Sequence, residues 1–168
     1  MRAVFAGLWP LEGEMSPRVE ATAEEHEAAH HMRLALERPS EYVMKLTKPQ
    51  REGGGHNLFG GELVNALRSL SREQRGAYIL MQRIWPRKAA AVLVRDGEAA
   101  VGQAVHELGI YSTLLTSRSG GVLLNEAAGH LVRSKLDGVD EGGVTAGYAV
   151  LSSPLVSAAA GRSRRIFF

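Results

Sequence analysis

The sequence has no cysteine among its 168 residues, which excludes a disulfide framework, a thiolate zinc site and a cysteine nucleophile within this chain. It also has no run approaching the roughly 18 apolar residues that a membrane-spanning helix needs. Aromatic residues make up only 6% and the formal net charge is only +2, so no basic, aromatic-interleaved face indicates nucleic-acid binding. The length and the 45% hydrophobic content are typical of one globular domain, and the unusual abundance is glycine, with 19 clustered residues.

The beginning of the chain, MRAVFAGLW, superficially resembles a short signal peptide. Pro10, Glu12 and Glu14 interrupt it, and no small-x-small cleavage site follows. We therefore expect a core strand that begins at the first residue.

Helix signals are confined to the first half of the chain and to one later segment. Ser16-Pro17 predicts the start of a helix over residues 17–37, and Pro39 prevents its continuation. A second helix is expected over residues 62–70, because apolar positions recur there at helical spacing. The predicted strands are residues 41–47, 77–84, 89–95, 99–106, 110–115, 122–125 and 130–135, and residues 144–151 are expected to be helical. Closely spaced strands joined by turn sequences imply an antiparallel sheet.

A glycine-rich loop, KPQREGGGHN, occupies residues 48–57 between a predicted strand and a predicted helix. Gly53, Gly54 and Gly55 let the backbone approach a ligand closely, and successive amides there can form a nest for phosphate oxygens. Lys48 adds a positive charge, and Glu52 offers the hard oxygen ligand that Mg²⁺ prefers. The loop is not a Walker A motif, and a plain surface turn is the alternative; the charged residues within it favour phosphate.

Four further groups could complete such a site. The segment Met81, Gln82, Arg83 and Ile84 could line a base pocket or be a plain core strand, and Glu107 could accept hydrogen bonds from ribose or be a surface charge. Arg133 and Lys135 are two residues apart and so share one face of a strand. Glu141 opens a second flexible loop with exposed amides.

His26 and His30 have metal-binding spacing on the first helix, but no further ligand closes the set, so a solvated face is the favoured interpretation. No Ser/His/Asp arrangement of convincing spacing is present. The combination of two glycine loops, three cations and two or three carboxylates around a sheet favours an ATP·Mg²⁺ site over a hydrolase triad.

Five segments in this order resemble the C-terminal part of the eukaryotic-type glutathione synthetase family: KPQREGGGHN, AYILMQRI, HELGIY, GHLVRSK and EGGVTAGYAVL. The resemblance extends over residues 1–156, and the glycine-loop decapeptide is its most specific motif. It implies an α/β (α+β) ATP-grasp-like fold, with a mainly antiparallel sheet, flanking helices and a glycine-rich phosphate loop. The implied activity is an ATP- and Mg²⁺-dependent ligase that joins γ-glutamylcysteine to glycine through an acyl phosphate, normally as a cytoplasmic homodimer.

The resemblance also implies a role for each matching residue. Arg133 and Lys48 would be catalytic, Glu52 would bind Mg²⁺, and Arg133, Val144 and Thr145 would contact substrate. The residues implied to bind ATP are Lys48, Gly53, Gly54, Gly55, Asn57, Phe59, Met81, Gln82, Arg83, Ile84, Glu107, Lys135 and Glu141.

The sequence departs from the family at several positions. His56 stands where asparagine is usual, Phe59 where tyrosine is usual, and Thr145 where alanine is usual, while Gln82 occupies a position that is acidic in some members. Residues 45–47 resemble a short insertion that could shift the strand delivering Lys48.

Length is the largest departure, because chains of this family are more than twice as long. We therefore expect residues 1–156 to be an incomplete fragment of the ligase, and residues 157–168 to be an unmatched, disordered tail. The fragment is expected to be inactive alone. The alternative hypothesis is a non-catalytic nucleotide-binding module or partial copy, and an unrelated anion-binding domain would require the ordered motifs to be coincidental.

Overall fold

The computed structural model describes residues 4–47, 57–139, 142–157 and 165–167. Residues 155–157 and 165–167 are described by their backbone only. The chain divides into two compact units, the N-terminal unit (Met1–Trp85) and the C-terminal unit (Pro86–Phe168). Each unit has its own antiparallel sheet.

The N-terminal unit combines a three-stranded sheet with helices. Its elements are β1 (Leu8–Pro10), α1 (Ala23–Glu37), a 3-10 turn (Pro39–Glu41), β2 (Tyr42–Leu46), α2 (Gly60–Ser69), α3 (Arg72–Arg75) and β3 (Tyr78–Gln82). The strand order is β1-β3-β2, with both neighbours of β3 antiparallel to it. Pro10 is tolerated because β1 is an edge strand. The pairing of β2 with β3 runs without a break through Lys45 and Leu46, so the suspected insertion leaves this register regular.

The core of this unit lies between the sheet and the helices. Its fully buried side chains include Leu11, Met32, Met44, Leu63, Leu67 and Leu80. Leu63 and Leu67 come from the apolar face that the sequence predicts for α2. The packing of α1 and α2 on this sheet therefore follows from the helical spacing of their apolar residues.

Helix α1 begins at Ala23, so the predicted start at Ser16-Pro17 is wrong. Thr22 accepts a hydrogen bond from the backbone N–H of Glu25, and the Glu25 carboxylate accepts one from the backbone N–H of Thr22. Such a capping box satisfies two helix-end amides. Val19 is three residues after Ser16 and has no side-chain acceptor, so Ser16 cannot form a capping box. The helix therefore begins after Thr22 and not after Ser16.

The strand expected at the first residue is also corrected. Residues 1–3 lie outside the described part, and residues 4–7 are not strand; β1 begins at Leu8. Val4 and Phe5 are 83% and 69% exposed, so they do not contribute to the core of the unit.

The C-terminal unit is built on a four-stranded antiparallel sheet in the order β4-β5-β6-β7. The strands are β4 (Lys88–Arg95), β5 (Glu98–Thr116), β6 (Val122–Leu136) and β7 (Val150–Ser152). The turn between β4 and β5 places Asp96 and Gly97 at φ 52° and 83°, the left-handed conformation that short hairpins require. The four predicted strands over residues 99–135 merge into two.

Two glycines, Gly109 and Gly129, lie where breaks between the predicted strands were expected, and β5 and β6 continue through them. Gly109 lies under the ring of Tyr111, so close that a Cβ there would be 2.9 Å from ring atoms, and β5 passes through this position unbroken. Tyr111 of β5 pairs with Gly129 of β6 and Ser112 with Ala127, so Ala128 is the extra residue of a β-bulge in β6. Gly129 takes φ 134° at this irregularity.

Residues 144–151 do not form the predicted helix. A turn covers residues 144–147, Gly147 has φ 82°, and Val150 pairs with Ser134 of β6. A glycine inside a helix costs about 1 kcal/mol relative to alanine, and here strand pairing is the alternative. Residues 165–167 form β9 (Arg165–Phe167), which pairs with β8 (Leu155–Ser157), so part of the segment expected to be disordered is a strand.

Together, the sheets of both units and the helices of the N-terminal unit confirm the expected mixed α/β class with mainly antiparallel strands. No helix within the described ranges is long and apolar enough to cross a membrane.

His31 is held in an aromatic cluster in the N-terminal unit. Its ring stacks on Trp9 with centroids 3.6 Å apart, and its Nδ1 lies 2.9 Å from the Tyr42 hydroxyl oxygen. Burial lowers the pKa of His31, His30 lowers it further, and Glu27 acts in the opposite direction. His26 and His30 are exposed, as expected for a solvated helix face.

We expect acid to weaken this unit through His31. Because burial holds the pKa of folded His31 below the 6.5 that is usual for histidine, the unfolded chain takes up the proton first. The stability present above pH 6.5 is therefore lost as pH falls towards the folded pKa. Urea unfolding, monitored by tryptophan fluorescence at several pH values from neutral to mildly acidic, measures the free energy of unfolding. That free energy should fall less steeply with decreasing pH for His31→Gln than for the parent. His26→Gln is the matched control and should keep the parent slope. Equal slopes for all three chains would contradict this prediction.

Candidate functional site

Glu107, Arg133 and Lys135 lie on one face of the sheet in the C-terminal unit. Glu107 is directly opposite Arg133 in the register of β5 and β6, and Val105 is opposite Lys135. Arg133 Nη2 donates to Glu107 Oε1 at 2.5 Å. An ion pair at this exposure is worth about 0.2–1 kcal/mol, so a phosphate group could replace the carboxylate at little cost. The arrangement places two cations and one carboxylate where an anionic ligand can reach them.

On the opposite face of the same strands, a buried serine hydroxyl hydrogen-bonds to side chains of both neighbouring strands. Ser134 is fully buried, and its Oγ lies 2.7 Å from His106 Nδ1 and 2.6 Å from Ser152 Oγ. Burial lowers the pKa of His106, which favours the neutral imidazole. This network joins β5, β6 and β7 directly behind Arg133 and so limits rotation of the strand that presents it.

Val144 and Thr145 lie in the turn that precedes β7. The backbone N–H of Gly147 donates to the Val144 carbonyl at 3.0 Å, and Arg95 Nη2 donates to the carbonyl of Ala149 at 3.1 Å. Val144 is half-buried and Thr145 is exposed. The turn therefore presents the Thr145 side chain to solvent from a hydrogen-bonded backbone.

The segment predicted to line a base pocket lies at the end of β3. Met81 is half-buried and pairs with both Leu8 and Val43, whereas Ile84 is 63% exposed. The backbone N–H of Gln82 donates to Gly7 at 2.9 Å, and that of Arg83 donates to Glu41 at 2.8 Å. Hydrogen bonds to a base would therefore come from the other polar groups of this segment.

The described end of the glycine loop is attached to β2. Leu58 exchanges backbone hydrogen bonds with Met44 at 3.0 and 2.9 Å, next to Asn57. Phe59 follows as the N-cap residue of α2, and the Arg83 guanidinium lies 5.0 Å from the centre of its ring. Within the N-terminal unit, the segments predicted to hold phosphate and base thus meet at Phe59 and Arg83.

Several predicted site residues lie outside the described residues: Lys48, Glu52, Gly53, Gly54, Gly55 and Glu141. Their roles, and those of the residues above, stay predictions. In the part of the chain that is described, no group of three or more histidine, aspartate or glutamate residues could hold a metal ion.

Sequence reasoning missed His106, Ser134 and Trp85. The two-residue period of β6 carries a signal for Ser134, because a small polar residue between two basic ones must lie on the opposite face. Trp85, whose ring lies 4.3 Å from the Arg83 guanidinium, follows the segment 81–84 directly, but nothing in its spacing indicates that contact.

Comparison with known proteins matches residues 1–156 to the ATP-binding domain of eukaryotic glutathione synthase. The chloroplastic glutathione synthetase of Solanum lycopersicum is 43% identical over 156 residues, which are 91% of this chain and 25% of that protein. Human glutathione synthetase is 42% identical over 157 residues, or 92% of this chain and 30% of that protein. The solved structure of a glutathione synthetase-like effector from Globodera pallida aligns with 67% of this chain and with 28% of the effector chain, at 26% identity and a TM-score of 0.48.

The mixed α/β fold with mainly antiparallel sheets and the matched domain define an ATP-binding domain of the ATP-grasp type. The chain belongs to the eukaryotic glutathione synthase family. It spans between a quarter and a third of the length of these curated relatives.

Proposed function

We propose that this chain supplies the nucleotide-binding part of a glutathione synthetase, the ligase that joins γ-glutamylcysteine to glycine at the expense of ATP. The observation that carries the proposal is the single face bearing Glu107, Arg133 and Lys135, within a chain matched to the family's ATP-binding domain. In this proposal Lys135 holds the nucleotide, Glu107 the ribose, and Arg133 the substrate and the transferring phosphoryl group.

The chemistry needs charge and position more than covalent participation by the protein. A carboxylate oxygen of γ-glutamylcysteine attacks the γ-phosphorus, and the bond to the β-phosphate oxygen breaks to release ADP. The glycine amine then attacks the acyl carbon, phosphate leaves with the electron pair of the C–O bond, and the amine loses its proton. The Arg133 guanidinium can stabilise the charge on the phosphoryl oxygens, since its planar fork matches phosphate geometry. Lys48 and the amides of Gly53, Gly54 and Gly55 would cradle the phosphates of ATP.

The proposal includes Mg²⁺ and the partners that the resemblance implies. Glu52 would bind Mg²⁺, because carboxylate oxygens are its preferred protein ligands. Asn57 and Glu141 would bind nucleotide, Phe59 and the segment Met81–Gln82–Arg83–Ile84 would frame the base, and Val144 and Thr145 would contact substrate. We propose a homodimer for the complete enzyme and a cytoplasmic location, although the relatives include chloroplastic forms.

Nucleotide binding tests the proposal directly. Isothermal calorimetry of the chain with Mg·ATP should detect binding, and Lys135→Met should weaken it about tenfold, or about 1.4 kcal/mol, because a cation is lost beside the phosphates. The Kd of Lys135→Met should also depend less on salt concentration than that of the parent.

Arg118→Met is the matched control, because Arg118 is an exposed cation of the same unit in the turn between β5 and β6. Its affinity for Mg·ATP should equal that of the parent. Absence of binding by the parent chain, or equal weakening in both variants, would contradict the proposed site.

A further inference from the structure

The guanidinium of Arg83 lies close to two aromatic rings in the N-terminal unit. Its central carbon is 5.0 Å from the centre of the Phe59 ring and 4.3 Å from that of Trp85. A guanidinium over an aromatic face is attracted by the electrons of the ring, and tryptophan is the strongest partner. Each contact contributes about 0.5–1 kcal/mol at an exposed site and about 2 kcal/mol when desolvated.

The stack connects two segments that belong to different parts of the proposed nucleotide site. Phe59 begins α2, immediately after the described end of the glycine loop. Arg83 belongs to the segment proposed to frame the base, and its backbone N–H is held by the Glu41 carbonyl. The distance between Phe59 and the base segment therefore depends on where the Arg83 side chain is held.

The Trp85 ring is the nearer of the two to the guanidinium, yet most of the Trp85 side chain is exposed. It is 64% exposed, and the preceding Ile84 is 63% exposed. Two adjacent large apolar side chains at this exposure contribute little to the core of the unit, so stability alone does not account for Trp85. Among the described residues, the ring contact recorded for Trp85 is the one with the Arg83 guanidinium.

We propose that Trp85 is a positioning residue for a purine nucleotide, acting through Arg83. The inference rests on the proposed function. By clamping the guanidinium against Phe59, the indole keeps the base segment aligned with the segment that leaves the glycine loop. Loss of the indole leaves the phosphate contacts intact and releases the base end of the site.

This role predicts a selective loss. Trp85→Ala should weaken binding of Mg·ATP about 5- to 20-fold in calorimetry, while the affinity for inorganic tripolyphosphate, measured by competition, stays within twofold. Trp85→Phe should restore most of the affinity for Mg·ATP, because a ring still covers the guanidinium. A purely structural role would weaken both ligands together, and circular dichroism should show the parent thermal midpoint for the alanine variant.

A double-mutant cycle tests whether Trp85 acts through Arg83. Arg83→Met alone should weaken binding of Mg·ATP. Trp85→Ala should cause little further loss of affinity in the Arg83→Met background, because the guanidinium that Trp85 positions is gone. Additive losses would overturn the proposal, as would a Trp85→Ala chain that binds Mg·ATP within twofold of the parent. If the parent chain binds Mg·ATP and Trp85→Ala binds it equally well, this inference fails and the proposed function stands. If the parent chain does not bind Mg·ATP, the proposed function fails together with this inference.

Discussion

Given γ-glutamylcysteine, glycine and Mg·ATP, the purified 168-residue chain is expected to form no detectable glutathione. Acyl phosphate formation needs the dipeptide carboxylate held about 3–3.5 Å from the γ-phosphorus and in line with the bond that breaks, and such positioning contributes about 7–11 kcal/mol. The chain spans 25% of the tomato enzyme and 30% of the human one, and we expect most groups that hold the dipeptide to lie in the parts of those enzymes that this chain does not match. A rate lower by a factor on the order of 10⁵ or more should follow.

Chromatographic detection of glutathione, with tomato glutathione synthetase as the positive control, measures this directly. Calorimetry on the same preparation should detect Mg·ATP binding, so that a missing activity is not due to a chain that cannot bind nucleotide. Glutathione formation by the chain, abolished by Arg133→Ala, would contradict the prediction and show that these residues alone assemble the active site.

Replacement of Arg75 by methionine is expected to destabilise the N-terminal unit by about 3–5 kcal/mol. Arg75 is only 9% exposed, and its guanidinium donates to the carbonyl oxygens of Leu11, Leu70 and Gly13, each at 3.2 Å. Hydrogen bonds from a charged donor contribute about 1.5–3 kcal/mol each, and one buried and two partly buried acceptors would lose their partner. The apolar methionine side chain offsets part of this loss.

Urea unfolding should show a lower midpoint for Arg75→Met at an unchanged slope. Arg68→Met is the matched control, because Arg68 is an exposed cation on α2 of the same unit, and it should unfold near the parent midpoint. A parent-like midpoint for Arg75→Met would mean that the three carbonyl groups find other partners and that the segment Leu11–Gly13 does not depend on this arginine.

The predicted site residues differ in how much of their arrangement could be inferred from sequence. That Arg133 and Lys135 share a face follows from the two-residue period of a strand, and the structure places them so. The contact of Arg133 with Glu107 could not be inferred, because residues 26 positions apart meet only in one register of β5 and β6. The same holds for the contact of Arg83 with Phe59, which lies 24 positions earlier in the chain, whereas Trp85 is only two positions away.

The errors in the secondary structure also have local and non-local causes. The start of α1 was recoverable, because Thr22 and Glu25 form a complete capping box and Ser16 does not. The uninterrupted course of β5 and β6 was not, since it depends on Tyr111 packing over Gly109 and on a bulge at Ala128 opposite the partner strand. Residues 150–152 form a strand because β6 offers an edge to pair with, which no local propensity reveals.

By itself the sequence determined the family, the alternation of helices and strands, the buried face of α2 and the common face of the basic pair on β6. These depend on motif identity and on the short periods of helix and strand, which are properties of neighbouring residues. Only the tertiary structure decided which carboxylate meets Arg133, which distant ring lies near Arg83, and which distant carbonyl groups Arg75 binds. The contacts of Arg133 with Glu107, of Arg83 with Phe59 and of Arg75 with Leu11 and Gly13 join residues far apart in the chain, and their geometry is set by strand register and packing across the unit.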